Sequence, residues 1–353
     1  MNALESALAR QPRVPLGHLP TPLEPLDGLA RALGPGPRVF ANWDDCTGLA
    51  FGGNKVRKLE FLIGEARANG ADTLITTGGV QSNHARQTAA AAAKLGLVCE
   101  LVLPRMVEGR DAAYDASGNR LLDDWLGARV RIVARPADVA PAVAEIQARA
   151  TSSGDVAAFI PAGGSSPTGC FGYAQAALEL AAQLERDRLH VEAIVLAVST
   201  GGTLAGLLVG LEAIGLSIPV IGIGVYAPRA QVAPAIRELG ARTSARLGTP
   251  EVPDSRLDLR DDWLGPGYGL PTDALCEAIA LTARSEACCS TRSTLARQWP
   301  GSSRCAARGI SRKGTSSSGI PAGPPGCSPT RSSSLRVTTL TARRRGPSDI
   351  PGI

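Results

Sequence analysis

Between Ala193 and Tyr226 the chain carries one charge, Glu212. A run this apolar is buried on every side, either in a membrane, which takes about 20 apolar residues to cross, or in a protein interior. Its punctuation decides for the interior. V-E-A-I-V-L-A-V reads as a strand, S-T-G-G-T as a turn, L-A-G-L-L-V-G-L-E-A-I as a helix and I-P-V-I-G-I-G-V as the next strand. That is a βαβ unit covered on both faces.

A second unit lies upstream. D-T-L-I-T predicts a strand, T-G-G-V-Q-S-N-H a loop, A-R-Q-T-A-A-A-A-A-K-L-G a helix with a glycine stop, and V-C-E-L-V-L another strand. Both loops carry T-G-G at the carboxyl end of a strand, where open α/β sheets bind their ligands. The expectation is an α/β protein with two ligand-facing loops, one per lobe, and a cleft between the lobes.

At 353 residues the chain suits one two-lobed enzyme or two modest domains. Its net charge of +5 invites a nucleic-acid partner. The surplus is local, however: the residues after Glu286 carry +10 and those up to and including it −5. The tail from Ala287 is rich in Ser, Arg, Gly and Pro and has neither the helix nor the strand period, so its plain reading is a disordered basic extension. A binder of nucleic acid would rest on that tail alone. The body's cysteines, Cys46, Cys99, Cys170 and Cys276, are isolated, lack C-x-x-C spacing and suit small buried hydrophobes in a reducing compartment. The N-terminal stretch has no apolar core of signal-peptide length, and a cytoplasmic protein is expected.

Three segments carry chemistry. In G-G-N-K-V-R-K-L-E, Gly52 and Gly53 let the backbone approach a ligand, and Lys55 and Lys58 stand three apart at a helix start. Walker spacing is absent, and alone the two lysines also suit a solvated helix start. In S-T-G-G-T, Ser199, Thr200, Gly201, Gly202 and Thr203 lie between strand and helix, where N-terminal amides and the helix dipole favour a phosphate. That loop suits a nucleotide, a sugar phosphate, a cofactor phosphate or a plain turn. Ser82, Asn83 and His84 present a hydroxyl, an amide and an imidazole at a third helix start, as caps or as a substrate-facing loop. A Rossmann oxidoreductase is disfavoured, because G-x-G-x-x-G followed by an acid is missing. A phosphate cradle, an imine-forming lysine and a polar loop are together the parts of a pyridoxal 5'-phosphate enzyme.

Four segments, G-G-N-K-V-R-K-L-E-F-L, Q-S-N-H-A-R-Q-T-A-A-A-A-A-K-L-G, I-P-A-G-G-S-S-P-T-G-C-F-G-Y and P-G-Y-G-L-P-T-D, resemble the D-cysteine desulfhydrase and 1-aminocyclopropane-1-carboxylate deaminase family in content and order, across most of Leu19 to Glu286. The resemblance implies the fold-type-II pyridoxal-phosphate architecture, related to the tryptophan synthase β chain, with two lobes of open, mostly parallel sheet and helices on both faces. It implies a large lobe from 1–56 with 161–286, a small lobe from 57–160, and a homodimer acting on a small amino acid without a nucleic-acid or membrane partner. It implies Lys55 as the Schiff-base lysine, Ser82 as a catalytic hydroxyl, Asn83 at the cofactor's phenolic oxygen, Lys58 with Ser199 to Thr203 on its phosphate, and Tyr268 as an active-site tyrosine. His84 after S-N resembles the desulfhydrase and L-cysteate sulfo-lyase branch. The implied reaction is β-elimination from D-cysteine or L-cysteate, with 1-aminocyclopropane-1-carboxylate deamination as the alternative. Asn42-Trp43 stands where relatives carry Lys-Arg, and Ser166 where they carry Asn.

After Glu286 the resemblance stops, and reverse translation restores it. With the frame moved back one base, Ala287 to Ser303 can encode G-V-L-L-D-P-V-Y-S-G-K-A-M-A-G-L-I, and Thr315 to Thr330 can encode H-V-V-F-R-H-T-G-G-T-P-G-L-F-A-Y. Residues 287–353 are therefore read as an out-of-frame, disordered tail. As written, the chain lacks the family's second tyrosine, and an inactive truncated pseudoenzyme is the corresponding alternative.

Overall fold

The computed structural model describes residues 2–36, 38–107, 109–267, 270, 272–287 and 337–344, the last of these as backbone only. Tyr268 and residues 288–336 lie outside the described residues. Two sheets form, one per lobe.

The smaller sheet holds β3 (Thr73–Thr77), β4 (Val98–Pro104), β5 (Arg129–Val133) and β6 (Ala157–Ile160) in the order β5-β4-β3-β6, all parallel. The order reverses between β3 and β6, with Thr73 opposite Ala157. At such a switch point the connections from neighbouring strands leave in opposite directions and open a crevice at the carboxyl ends. The helix α4 (Asn83–Leu95) follows β3, and its boundaries come from local chemistry. Ser82 caps the start by accepting from the Ala85 amide at 3.2 Å, the alanine run has the highest helix propensity, and Gly96 stops the helix in the left-handed conformation.

The larger sheet has the order β1-β2-β10-β7-β8-β9, from β1 (Leu23–Pro25), β2 (Arg38–Trp43), β7 (Leu189–Val198), β8 (Val220–Gly224), β9 (Asp258–Arg260) and β10 (Val337–Arg344). Strands β7, β8 and β9 are parallel, β2 runs the same way, and β1 and β10 run against them. The expected mostly parallel α/β architecture is what forms. Most of the tail expected to be disordered lies outside the described residues, but Val337–Arg344 is a strand, paired antiparallel to β2 on one side and β7 on the other. The reason is a slot one strand wide, whose two edges offer unpaired backbone groups to any segment of β-branched residues such as V-T-T-L-T.

Helices cover both sheets. Around the larger one lie α1 (Ala3–Ala9), α2 (Asp27–Leu33), α8 (Pro167–Arg186), α9 (Gly202–Ala213), α10 (Arg229–Leu247) and α11 (Asp273–Glu286), and around the smaller one α5 (Ala112–Asp115), α6 (Gly118–Trp125) and α7 (Val139–Ser153). The helix α3 (Lys55–Ala68) touches both groups. Leu59 and Ile63 of α3 join the small-lobe core with Leu74, Ala89 and Leu101, while Phe61 packs edge-on against Phe171 of α8. Of the body cysteines, Cys99, Cys170 and Cys276 are buried as expected, and Cys46 is exposed.

Glycines let the helices nearest the site approach one another. A Cβ on Gly172 of α8 would stand 2.2 Å from the Arg57 carbonyl of α3, and one on Gly206 of α9 would stand 2.3 Å from the Cys170 carbonyl of α8. Both obstacles are backbone and cannot rotate away. Gly172→Ala is therefore expected to destabilise the protein by roughly 1–3 kcal/mol, the usual cost of overpacking a core. Urea denaturation of the two proteins measures it, and equal midpoints would contradict the packing described.

Candidate active site

Loops from three strand ends meet. The connection after β3 holds Gly78 to Ser82, the one after β6 holds Pro161 to Ser166, and the one after β7 holds Ser199 to Gly201. The first two leave the switch point of the small sheet. The third delivers the chain into α9, whose N-cap, Gly201, makes no side-chain cap hydrogen bond.

Lys55 is the first residue of α3 and is brought there by an unusual backbone. Ala50, Phe51, Gly52 and Gly53 have φ of 43°, 69°, 64° and 133°. Left-handed conformations at non-glycine residues cost about 1–2 kcal/mol each, so the surroundings hold this run in place. Gly52 N donates to Leu49 O at 2.9 Å, Gly53 N to Thr47 Oγ1 at 2.9 Å, and Arg86 Nη2 to Gly52 O at 2.7 Å. A Cβ at Gly52 would lie 1.7 Å from the Asp45 carbonyl, so only glycine fits.

Arg57, in the first turn of α3, anchors the helix from beneath. Fully buried, it donates to Asp44 Oδ1 at 2.7 Å, to Thr21 Oγ1 at 2.7 Å and to both carboxylate oxygens of Glu179 at 2.8 Å. Burial lowers the pKa of this guanidinium, but Asp44 and Glu179 outweigh burial and hold it above its ordinary value. Tyr173 adds a short hydrogen bond from its hydroxyl to Asp44 Oδ2.

The two lysines converge. Nζ of Lys55 and Nζ of Lys58 donate to the same acceptor, Gly163 O, at 3.1 and 3.2 Å, and both residues are buried. Two like charges this close, away from bulk water, favour an anion beside them. Around them, Ser165 Oγ and Thr200 Oγ1 are 2.7 Å apart, and the Gly202 amide donates to Ser165 Oγ at 3.3 Å. A Cβ on Gly202 would come within 2.8 Å of Lys58 Nζ, and one on Gly163 within 3.1 Å of Lys55 Nζ. Lys58 and residues 197–204 line a narrow, solvent-open recess with about 160 Å³ of empty space. A larger hollow of about 380 Å³ lies between Ala205, Ile236, Val252 and Leu257. It has no lysine and no loop from the carboxyl end of a parallel strand, whereas the smaller one has both.

The polar loop residues divide. Ser82 is the N-cap of α4. Asn83 Nδ2 lies 3.4 Å from Asn54 Oδ1, and Asn54 Nδ2 lies 3.3 Å from Thr203 Oγ1, so a chain of side chains joins the two T-G-G loops. Asn83 Oδ1 is buried and meets no hydrogen-bond partner among the described residues. His84 turns towards the sheet. Thr76 Oγ1 donates to Ile160 O at 2.7 Å, which leaves its lone pairs to accept from His84 Nε2 at 2.9 Å and fixes the proton on that nitrogen. His84 thus links β3 to β6.

The structure brings Lys55, Lys58, Thr200 and Gly202 together, with Asn83 linked to Thr203 through Asn54. Tyr268 lies outside the described residues. Gly163, Ser165, Asn54 and Gln87 complete the site and were not singled out from the sequence. For the first two a signal existed: A-G-G-S-S-P-T is a third glycine turn between a strand and a helix. The departures at Asn42 and Ser166 are accommodated locally, Asn42 Oδ1 accepting from Thr21 Oγ1 at 2.9 Å and Ser166 Oγ capping α8 at the Gly169 amide at 3.2 Å.

Comparison with known proteins gives consistent results. Residues 14–296 match the family described as pyridoxal-phosphate dependent enzyme. A D-cysteine desulfhydrase of Salmonella paratyphi B is 40% identical over 279 residues, 79% of this chain and 84% of that protein. A crystal structure of an ACC deaminase homologue superposes with a TM-score of 0.75 at 32% identity, covering 88% of this chain and 90% of that one. A threonine deaminase of Solanum lycopersicum shares the fold alone, with a TM-score of 0.55 at 18% identity over 87% of this chain and 80% of that one.

One buried acid beside this framework titrates abnormally. Asp123 of α6 is wholly buried, and neither carboxylate oxygen finds a hydrogen-bond partner among the described residues. Burial pushes its pKa up to about 8, with Arg120 and Arg86 offsetting only part of the shift. The folded state therefore keeps a proton that the unfolded chain, with the ordinary value of 3.8, has released. Stability falls as pH rises through that window, by at most about 1.4 kcal/mol per pH unit. Asp123→Asn is expected to flatten the fall between pH 5 and pH 8, as read from urea midpoints, and an unchanged slope would contradict the assignment.

Proposed function

The chain belongs to the pyridoxal-phosphate dependent enzyme family, and from that premise we propose that it is a carbon–sulfur lyase releasing pyruvate, ammonia and sulfide from D-cysteine by β-elimination. The observation that carries this is the meeting of the Lys55 and Lys58 amines at Gly163 O, beside an α9 N-terminus that Gly201 leaves without a side-chain cap. Pyridoxal 5'-phosphate fits the residues present. Missing Cβ atoms at Gly163 and Gly202 leave room beside the amines, and the orphaned Asn83 Oδ1 shows that this buried amide has an end to spare.

When bound, the cofactor supplies an aldehyde for amine capture and a ring that takes up carbanion charge. Lys55 is proposed to hold it through Nζ and, once displaced by the substrate amine, to move the α-proton. Lys58, Ser199, Thr200, Gly201, Gly202 and Thr203 are proposed to hold the phosphate, since the positive end of α9 and a buried ammonium both favour a dianion. Ser82 at the α4 N-cap is proposed as the hydroxyl facing the substrate, with Asn83 and His84 completing that loop and Tyr268 acting from the other side. The burial of both lysines keeps water from the reacting atoms and strengthens every charge interaction there.

The same proposal divides the lobes at 1–56 with 161–286 and 57–160, and includes a cytoplasmic homodimer acting on a small amino acid without a nucleic-acid or membrane partner. Among the described residues, no helix is long and apolar enough to cross a membrane. Residues 287–353 are proposed to be translated out of frame. The slot between β2 and β7 supports this, because H-V-V-F-R-H-T-G-G in the restored frame supplies an apolar strand where the written chain inserts Val337–Arg344. Loss of sulfite from L-cysteate and ring opening of 1-aminocyclopropane-1-carboxylate are the companion reactions, the latter favoured by the 32% identical structure.

One assay tests substrate and frame together. The written chain and one with a single base restored at the Glu286 codon are each given D-cysteine, L-cysteate and 1-aminocyclopropane-1-carboxylate. The restored chain is expected to release sulfide from D-cysteine at least tenfold faster than the written one. Sulfite or 2-oxobutyrate as its main product would replace the substrate, and equal rates would remove the frame proposal.

A further inference from the structure

The helix that carries Lys55 opens without a cap of its own. Asn54 fills the N-cap position in a helical conformation and makes no capping hydrogen bond. Its side chain is engaged instead with Thr203 and Asn83. The first amides of any helix have no partner within it, and leaving them unmet in a buried place costs stability. Lys55 and Val56 are both buried.

Val56 N reaches Gly53 O at 3.1 Å; its second acceptor, and the acceptor of the Lys55 amide, come from another helix. Gln87 Oε1 receives the Lys55 amide at 3.1 Å and the Val56 amide at 3.0 Å. Its Nε2 donates to Asn83 O, one turn back in α4, at 2.9 Å. Gln87 is completely buried. One carboxamide therefore ties the start of α3, which bears Lys55, to the start of α4, which bears Ser82 and Asn83.

We infer that Gln87 is a positioning residue that caps α3 from α4 and fixes the Lys55 amine relative to the Ser82–Asn83 loop. The inference rests on Lys55 being the cofactor lysine. Two consequences follow from the chemistry of the cap. With its first two amides taken by Gln87, α3 offers an anion fewer N-terminal donors than α9, whose Gly202 amide reaches only the Ser165 hydroxyl among the described residues. And the cap is neutral: a carboxylate in its place would put a negative charge against the Lys55 backbone and favour the protonated amine.

Gln87→Glu and Gln87→Leu separate these roles in the full chain loaded with pyridoxal 5'-phosphate. Glu keeps the acceptor for the two α3 amides, loses the donor to Asn83 O and adds charge, so the pH midpoint of the cofactor's visible absorbance is expected to rise by about one unit and the thermal midpoint to fall. Leu removes the acceptor, and pyridoxal 5'-phosphate uptake is expected to weaken at least tenfold. Should Leu fail to fold, the Glu titration still decides. A Glu variant that folds, binds cofactor and titrates as the parent does would overturn the inference, as would a Leu variant with parental uptake. Peptide mapping of the borohydride-reduced parent keeps the premise separate: a tag away from Lys55 defeats the lysine assignment, whatever the Gln87 variants do.

Discussion

The first turn of α3 is held on every side, and the site depends on that restraint. Arg57 ties it downwards to Asp44, Thr21 and Glu179, Gln87 ties its amides across to α4, and the left-handed run from Ala50 to Gly53 feeds the chain into it. The bonds to Gln87 and Glu179 join α3 to elements distant in sequence, and the left-handed run precedes it directly. A lysine side chain is long and flexible, so placing its amine within hydrogen-bonding reach of one chosen carbonyl requires a backbone that does not move. The strain in residues 50 and 51 is the cost of entering the helix at that point, and the hydrogen bonds to Gly52 and Gly53 hold the run there.

The rest of the site follows from topology. The reversal of strand order between β3 and β6 opens a crevice into which both of their connections lead, and β7 faces it from the larger sheet with a glycine turn and the start of α9. Work is divided accordingly. The larger lobe offers the start of α9, whose N-cap is glycine and whose first amide meets the Ser165 hydroxyl, with hydroxyls suited to an anion, and the smaller lobe offers a hydroxyl and an amide at the start of α4. Between them stands α3, whose two lysines reach the carbonyl of Gly163 in the third loop. The cluster of positive charge and open amides is what makes a phosphate the natural occupant.

Much of this was legible in the sequence because its signals are local. Period and punctuation located β3, α4, β7, α9 and β8, and a glycine pair before two lysines marked the start of α3. What the sequence did not disclose is held by long-range bonds. Gln87 sits in an alanine-rich helix and looks like a solvated surface residue until the fold carries it to α3. His84 reads from the sequence as part of the loop with Ser82 and Asn83, and its contact with Thr76 of β3 appears only in the fold. Asn54, at the N-cap position of α3, uses its side chain to bridge two loops. The strand Val337–Arg344 could not be foreseen, since its partners are made of residues around 40 and 190.

The account stands on Lys55 being the residue that joins the cofactor. Borohydride reduction of the protein saturated with pyridoxal 5'-phosphate, followed by digestion and mass spectrometry, reads this directly. The account predicts one pyridoxyl group per chain on the peptide containing Lys55, and none on that peptide or elsewhere when Lys55 is replaced by alanine. A group attached at Lys58 or any other lysine, or undiminished labelling of the alanine variant, would contradict it.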